Sequence, residues 1–345
     1  MKKLTILFLT MVLVFSLAAP VMAADVTTDV TVNGGTGLPP IVKCKWELPD
    51  DGDPTHIIPG TQVLPPVAYG VEKPLEFFAV VTDPDGQLSV DRVYADVFHP
   101  MSRPASIPEF KYQLAMIRLA SVADGLTAFD SAVAQGIITF NPSHPEYDAA
   151  EVRHELEQGL AWVWMGNQVI SYHQPWGDYR VEVKAYDKNN NPSPILVNYF
   201  RYMPVTACEY DFTNVGYGPV EVCTNKWVPG DVNFGTAALP TVRNIGNTWL
   251  NILTKQDDMG FGDTSGIWNV EFDARLGAAG VGTDVIYNPA WKKGTTPPAG
   301  NWTMLPDILE LCNTQKLDFS IHVKKADPAS YSGNMILSCI YAAWP

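Results

Sequence analysis

The 345-residue chain carries a formal net charge of −14, with 46% hydrophobic residues, 28 prolines and 26 glycines. So acidic a surface excludes nucleic acid and anionic membranes as natural partners, because like charges repel. The hydrophobic share excludes a disordered chain, and the proline and glycine content requires many turns.

Lys2 and Lys3 precede the apolar run LTILFLTMVLVFSLAAPVM, and Val21-Met22-Ala23 has the small-x-small form of a cleavage site. Residues 1–23 are therefore expected to be a signal peptide removed after Ala23, giving a secreted, extracellular or cell-surface product. The run is also long enough to span a bilayer, so a retained anchor is the alternative. No second long apolar segment follows, so no membrane span is expected after cleavage.

Residues 24–40 read as a strand and a linker. Val26, Thr28, Val30 and Val32 alternate with Thr27, Asp29 and Thr31, the two-residue period of a strand. Asn33-Gly34-Gly35-Thr36-Gly37 is flexible and Pro39-Pro40 stiff. A lone strand leaves its backbone groups unpaired, so this one must pair either in its own subunit or in a neighbour. A strand donated to a neighbour would build an open head-to-tail polymer.

Residues 41–203 read as one domain. Leu75, Phe77, Ala79 and Val81 share a face, Asp83-Pro84-Asp85-Gly86 turns, and Val93, Ala95 and Val97 alternate again, as in a hairpin. Tyr179, Val181, Val183 and Ala185 alternate with Arg180, Glu182 and Lys184, Asp187 to Asn191 turns, and VNYFRYM returns. Between them, Phe110, Leu114, Ile117 and Ala120, and then Val152, Leu156, Leu160 and Val163, recur at helical spacing. The spacing predicts helices near 107–123, 126–135 and 146–165, a helical insertion over about 105–170. The pattern G-x-Y-x-V-x-V-x-A-x-D-x-x-x-N from Gly177 to Asn191, with the earlier AVVTDPDG, resembles immunoglobulin-like and PKD-like modules of surface proteins.

Residues 204–345 read as a second, strand-rich domain. Strands flank Asn244-Ile245-Gly246-Asn247, and Leu317, Phe319, Ile321 and Val323 face one side. A turn from Ala326 to Gly333 brings back Met335, Leu337, Cys339 and Tyr341 as a closing hairpin. The N-x-G-N turn and the final L-x-F-x-I-x-V…Y-S-G-x-x-x-L-S, over roughly residues 230–342, resemble archaeal surface-layer or sheath-like proteins and bacterial fibre proteins of the TasA and camelysin type. The loop from Gly277 to Gly300 departs from that pattern. The resemblance implies a structural surface protein.

Export permits disulfides. Cys208 and Cys223 flank CEYDFTNVGYGPVEVC, which reads as a hairpin around Val215-Gly216 and makes them the first expected pair; Cys312 with Cys339 is the second. Cys44, just after the linker, is left as the free or intermolecular thiol.

Catalysis has little support: there is no G-x-S-x-G, H-E-x-x-H or P-loop motif. Glu151, His154, Glu155 and Glu157 lack further converging ligands and read as a solvated helix face. Asp50, Asp51 and Asp53, then Asp83 and Asp85, and Asp187 put carboxylates on turns, where ordinary turn chemistry is the first reading and calcium the candidate ion of the second. The ten tryptophans raise the prospect of sugar stacking, although Trp249 and Trp268 read as core. Asn301-Trp302-Thr303 is the one N-x-S/T sequon, which makes Asn301 a glycosylation candidate.

The expected fold is mainly β, with two antiparallel, immunoglobulin-like β-sandwich domains, the first bearing a helical insertion. The expected function is non-enzymatic: a cell-surface structural protein that self-assembles into a filament, sheath or surface layer by strand exchange. The alternative is an adhesin or carbohydrate-binding surface module. The expected partners are a second copy, other surface proteins or a glycan.

Overall fold

The computed structural model describes residues 37–52, 60–236, 238–277, 284–285 and 302–343. The expected signal peptide, the expected opening strand with Val26, Thr28, Val30 and Val32, and Asp53 and Asn301 lie outside the described residues.

The chain is mainly β. The first part runs β1 (Ile41–Leu48), β2 (Gln62–Val63), β3 (Glu72–Thr82), β4 (Val90–Phe98), β5 (Phe110–Arg118), α1 (Val122–Gln135), β6 (Thr139–Phe140), α2 (Ala149–Glu157), β7 (Ala161–Ser171), β8 (Gly177–Asp187) and β9 (Leu196–Tyr202). These strands form one sheet in the order β2-β9-β8-β4-β5-β7-β3-β1-β6. The sheet curls, so that β1 packs back against β8 and β9. Its concave side encloses Phe77, Val93, Val97, Tyr179, Val181 and Phe200. Each fully buried side chain of this kind contributes about 1.5–3 kcal/mol. Tyr179 stacks on Phe200 with ring centroids 5.0 Å apart.

The two helices cover the outer side of β1, β3 and β7. Phe129 and Ala132 of α1 and Val152 and Leu156 of α2 pack on Cys44, Trp46, Phe78, Val80 and Val163. Ser121 caps α1 by accepting the Asp124 N–H at 3.1 Å, and Asp148 caps α2 by accepting that of Glu151 at 2.9 Å. α1 ends at Gly136, whose φ of 72° is a left-handed C-cap open to glycine.

Residues 110–118 form a strand, not a helix. Tyr112, Leu114 and Met116 turn to the core at period two, while Phe110 and Ile117 are exposed. Residues 161–171 are likewise strand, fully paired with β3. β7 is covered by helices on one face and the sheet core on the other, so AWVWMG shows no alternation and mimics a buried helix.

The second part runs β10 (Cys208–Tyr210), β11 (Asn225–Val228), β12 (Thr241–Asn244), β13 (Trp249–Gln256), β14 (Asp263–Thr264), β15 (Ile267–Trp268), β16 (Val270–Leu276), β17 (Asp284–Val285), β18 (Thr303–Leu309), β19 (Thr314–Val323) and β20 (Met335–Ala342). One sheet is ordered β10-β12-β19-β16-β17, with β11 also on β19; a second is β18-β13-β20. Val242, Phe272, Phe319 and Ile321 of the first sheet share a core with Leu250, Ile252 and Leu305 of the second. Residues Thr36–Pro345 form one unit. The Trp176 N–H donates to Asn247 O at 3.4 Å, and Arg243 lies over Tyr69 at 4.3 Å, joining the two parts.

Two expected hairpins are crossings instead. β3 pairs with β1 and β7, whereas β4 pairs with β5 and β8. β19 pairs with β11, β12 and β16, whereas β20 pairs with β13. In each case successive strands share a core without sharing a ladder, and alternation alone does not distinguish these arrangements. The hairpin from β8 to β9 forms as read.

Candidate binding groove

Beside β20 lies an open groove of about 1030 Å³. Its lining is mixed: apolar side chains come from Ile321 and Val323 of β19, Met335 and Leu337 of β20, and Phe212, Tyr217 and Val220 of the segment after β10, and polar ones include Gln256, Asp327 and Asn334. The apolar ones belong to or pack on the core between the two sheets, so the groove is an opening into that core. β20 pairs with β13 on one side and with no strand on the other among the described residues. The Tyr210 hydroxyl donates to Ser338 O, midway along β20, at 3.1 Å. The beginning of β20 adjoins the groove.

The rim is built by two tied turns. Asp257 accepts the N–H of Met259 at 3.0 Å and that of Asn334 at 2.9 Å, locking residues 257–259 to the start of β20. A side chain at Gly333 would meet Asp257 Oδ1 at 2.0 Å, so only glycine allows this approach. Asp258 holds Gly260 and Gly262 through their N–H groups at 3.0 Å each. Phe261 and Tyr331 then stack on the rim, centroids 4.0 Å apart and 13° from parallel. The site can thus hold an extended segment: apolar pockets below, a strand edge alongside and aromatic rings above.

A smaller cavity of about 360 Å³ lies among His99, His173, Gln174, Trp249 and Glu310. His99 Nε2 is 3.0 Å from Gln174 Oε1, and burial lowers the pKa of both histidines.

The cysteines are arranged differently from the expected pairs. All five are thiols. Cys208 is next to Cys339, close enough for their sulfurs to hydrogen-bond, and not next to Cys223. The reason is topological: β10 pairs with β12 and β11 with β19, so no hairpin joins residues 208 and 223. Cys223 is exposed, with Lys324 O 3.7 Å from its sulfur, and the exposed Cys312 is 3.2 Å from the Tyr172 hydroxyl. Cys44, expected as a free or intermolecular thiol, is a free thiol fully buried beneath the helices, and burial pushes its pKa up.

The carboxylates of the acidic turns bind nearby backbone and side-chain groups, while Asp83 Oδ2 and Asp85 Oδ1 are buried without a hydrogen-bond partner. Asp50 accepts the Gln62 N–H at 2.9 Å, and Asp51 pairs with Lys73. Asp83 accepts the N–H of Asp85 at 2.8 Å, Asp85 that of Gly37 at 2.8 Å, and Asp187 that of Asn191 at 2.7 Å. Among the described residues no group of three or more His, Cys, Asp or Glu has the arrangement of a metal site. Glu155, read as part of a solvated face, turns inward to the buried Lys43. Trp164 packs in the first core, and Arg118 covers Trp162 at 4.3 Å.

The sequence reading missed the groove. Its residues come from segments more than 100 positions apart, and no local pattern reports that convergence.

The chain matches no family model and no curated protein. Among solved structures it is similar to the C-terminal domain of the Streptococcus pyogenes antigen I/II-family protein AspA, at 15% identity over 87% of this chain and 96% of that one, with a TM-score of 0.22. It is also similar to the C-terminal domain of the Streptococcus agalactiae AgI/II polypeptide BspA, at 13% identity over 88% and 96%, with a TM-score of 0.21. At these values the likeness assigns no family.

Proposed function

We propose that the chain is an exported cell-surface structural protein that binds rather than catalyses, and that the groove beside β20 receives a strand from a second copy. The observation that carries this reading is the meeting, at Met335 and Leu337, of a groove with a strand that pairs on one side only among the described residues. Backbone ladder bonds along β20 would supply affinity and the pockets would select alternate side chains. Val26, Thr28, Val30 and Val32 have the required alternation, on a segment followed by a glycine-rich tether. The second part is then a two-sheet body with β20 at an edge, and the first a curled nine-stranded sheet covered by helices.

The test is to place a charge in the groove with Leu337→Lys. The folded variant, checked by circular dichroism, is expected to stay monomeric while the parent chain assembles. A synthetic peptide of residues 24–33 is expected to block assembly of the parent. A parent that assembles equally well with the peptide in excess would overturn strand exchange.

A second reading, an adhesin for glycans, is favoured by the Phe261–Tyr331 stack on the rim. Flat aromatic surfaces suit sugar rings. In that case Tyr331→Ala would abolish retention on a glycan surface and leave assembly unchanged.

A further inference from the structure

The strand β1, IVKCKWEL, is buried along almost its whole length, charged residues included. Lys45 is 0% exposed, Glu47 1% and Asn198, on β9, 6%. Burying an ammonium and a carboxylate is costly unless each finds full partnership. Here the partnership has a particular form. Lys45 Nζ lies 3.4 Å from Glu47 Oε1 and donates to the carbonyl of Val181 at 2.7 Å. Val181 is the cross-strand partner of Asn198 in the β8–β9 ladder. Asn198 Nδ2 in turn donates to Glu47 Oε2 at 2.7 Å.

One carboxylate therefore touches an amine with one oxygen and an amide nitrogen with the other, inside an apolar core. Asn198 Oδ1 has no hydrogen-bond partner and Glu47 Oε1 has only the 3.4 Å ion pair with Lys45, so the set is not closed as an ordinary polar network would be. Burial also pulls the Lys45 pKa down to about 8, against the opposing pull of Glu47 and Glu182, which makes the amine accessible as a nucleophile.

We propose that Lys45 and Asn198 become joined by an intramolecular isopeptide bond, with Glu47 carrying the proton. Glu47 takes a proton from the Lys45 ammonium. The freed amine attacks Cγ of Asn198, Glu47 returns the proton to Nδ2 and relays a second one to it from the attacking nitrogen, and the Cγ–Nδ2 bond breaks. Of the three ammonium protons, one stays on the new amide nitrogen and two leave with Nδ2 as ammonium. Glu47 ends as the carboxylate it began as. No oxidant, nucleotide or cofactor enters, and a buried ammonium is replaced by a neutral amide.

The placement gives the bond a use. β1 is the first long strand of the nine-stranded sheet in chain order and β9 the last. A link between them carries a pull on the two ends of this part directly, without loading the ladder between.

The experiment is mass spectrometry of the purified, denatured chain. The wild type is expected to be lighter than its sequence by one ammonia. A tryptic digest should show no cleavage after Lys45 and should join the peptide containing Lys45 to residues 189–201. Lys45→Ala, Asn198→Ala and Glu47→Gln should each have the full sequence mass. A wild-type chain of full mass, cut normally after Lys45, overturns the bond whether or not the variants fold. A Glu47→Gln chain that still loses ammonia overturns the role of Glu47.

Discussion

Cys208 and Cys339 face each other between the two sheets of the second part. Cys208 lies on β10 and Cys339 on β20, both against the shared core. Tyr210 fixes the meeting, its hydroxyl 3.5 Å from Cys208 Sγ and donating to Ser338 O at 3.1 Å. The hydrogen bond between the sulfurs lowers the Cys208 thiol pKa and, with burial, raises that of Cys339. Cys208 is thus the attacking thiol in exchange with an external disulfide. With oxidised glutathione, a non-reducing peptide map is expected to show a Cys208–Cys339 bond and neither Cys208–Cys223 nor Cys312–Cys339. Closing so long a loop adds about 4–5 kcal/mol in the chain-entropy account. Cys339→Ser should abolish the resulting rise in denaturant midpoint.

Asp318 should shape the acid limb of stability. It accepts the Gly230 N–H at 2.8 Å and pairs with Arg275 at 2.6 Å and Lys316 at 3.1 Å. Burial alone would raise its pKa, but these partners hold it below the ordinary carboxylate value. A depressed carboxylate stabilises the fold above its unfolded pKa, and that contribution is lost as pH falls through the folded value. Asp318→Asn is expected to cost about 3–5 kcal/mol near neutrality, because it leaves the two cations without their anion. It should also flatten the loss of stability below about pH 4 in urea titrations.

Asp83 carries the opposite sign. Burial first, and then the nearby Asp85 and Asp187, raise its pKa. A raised carboxylate opposes folding once it is ionised, and the penalty fades as pH falls through the folded value. Asp83→Asn keeps an acceptor for the Asp85 N–H and removes the charge. The melting temperature is expected to rise slightly at pH 7, by the equivalent of about 1 kcal/mol or less, and to match the wild type in acid.

Phe129 is the largest side chain that α1 buries against the sheet. Phe129 meets Trp46 edge-on at 6.2 Å, and Trp46 stacks on Phe78 at 5.1 Å. Phe129→Ala should cost about 3–5 kcal/mol. Because Trp46 is the covered partner, its fluorescence should shift to the red.

Much of the β character was legible because strands such as β8, with Tyr179, Val181 and Val183 inward, have one wet face. Strands covered on both sides were not. β7 passed for a helix, and in β1 Lys45 and Glu47 alternate with Cys44 and Trp46 in a way that places them in water by the one-face rule. Strand pairing was also hidden, since β3 and β4 look like a hairpin and lie in different parts of the sheet order. The groove and the Cys208–Cys339 contact both depend on that pairing, and so neither could be read from spacing.

The most direct measurement compares chains beginning at Ala24 and at Ile41 by size-exclusion light scattering and negative-stain electron microscopy. The account expects filaments or sheets from the longer chain and monomers from the shorter one. Folded monomers from both would contradict it.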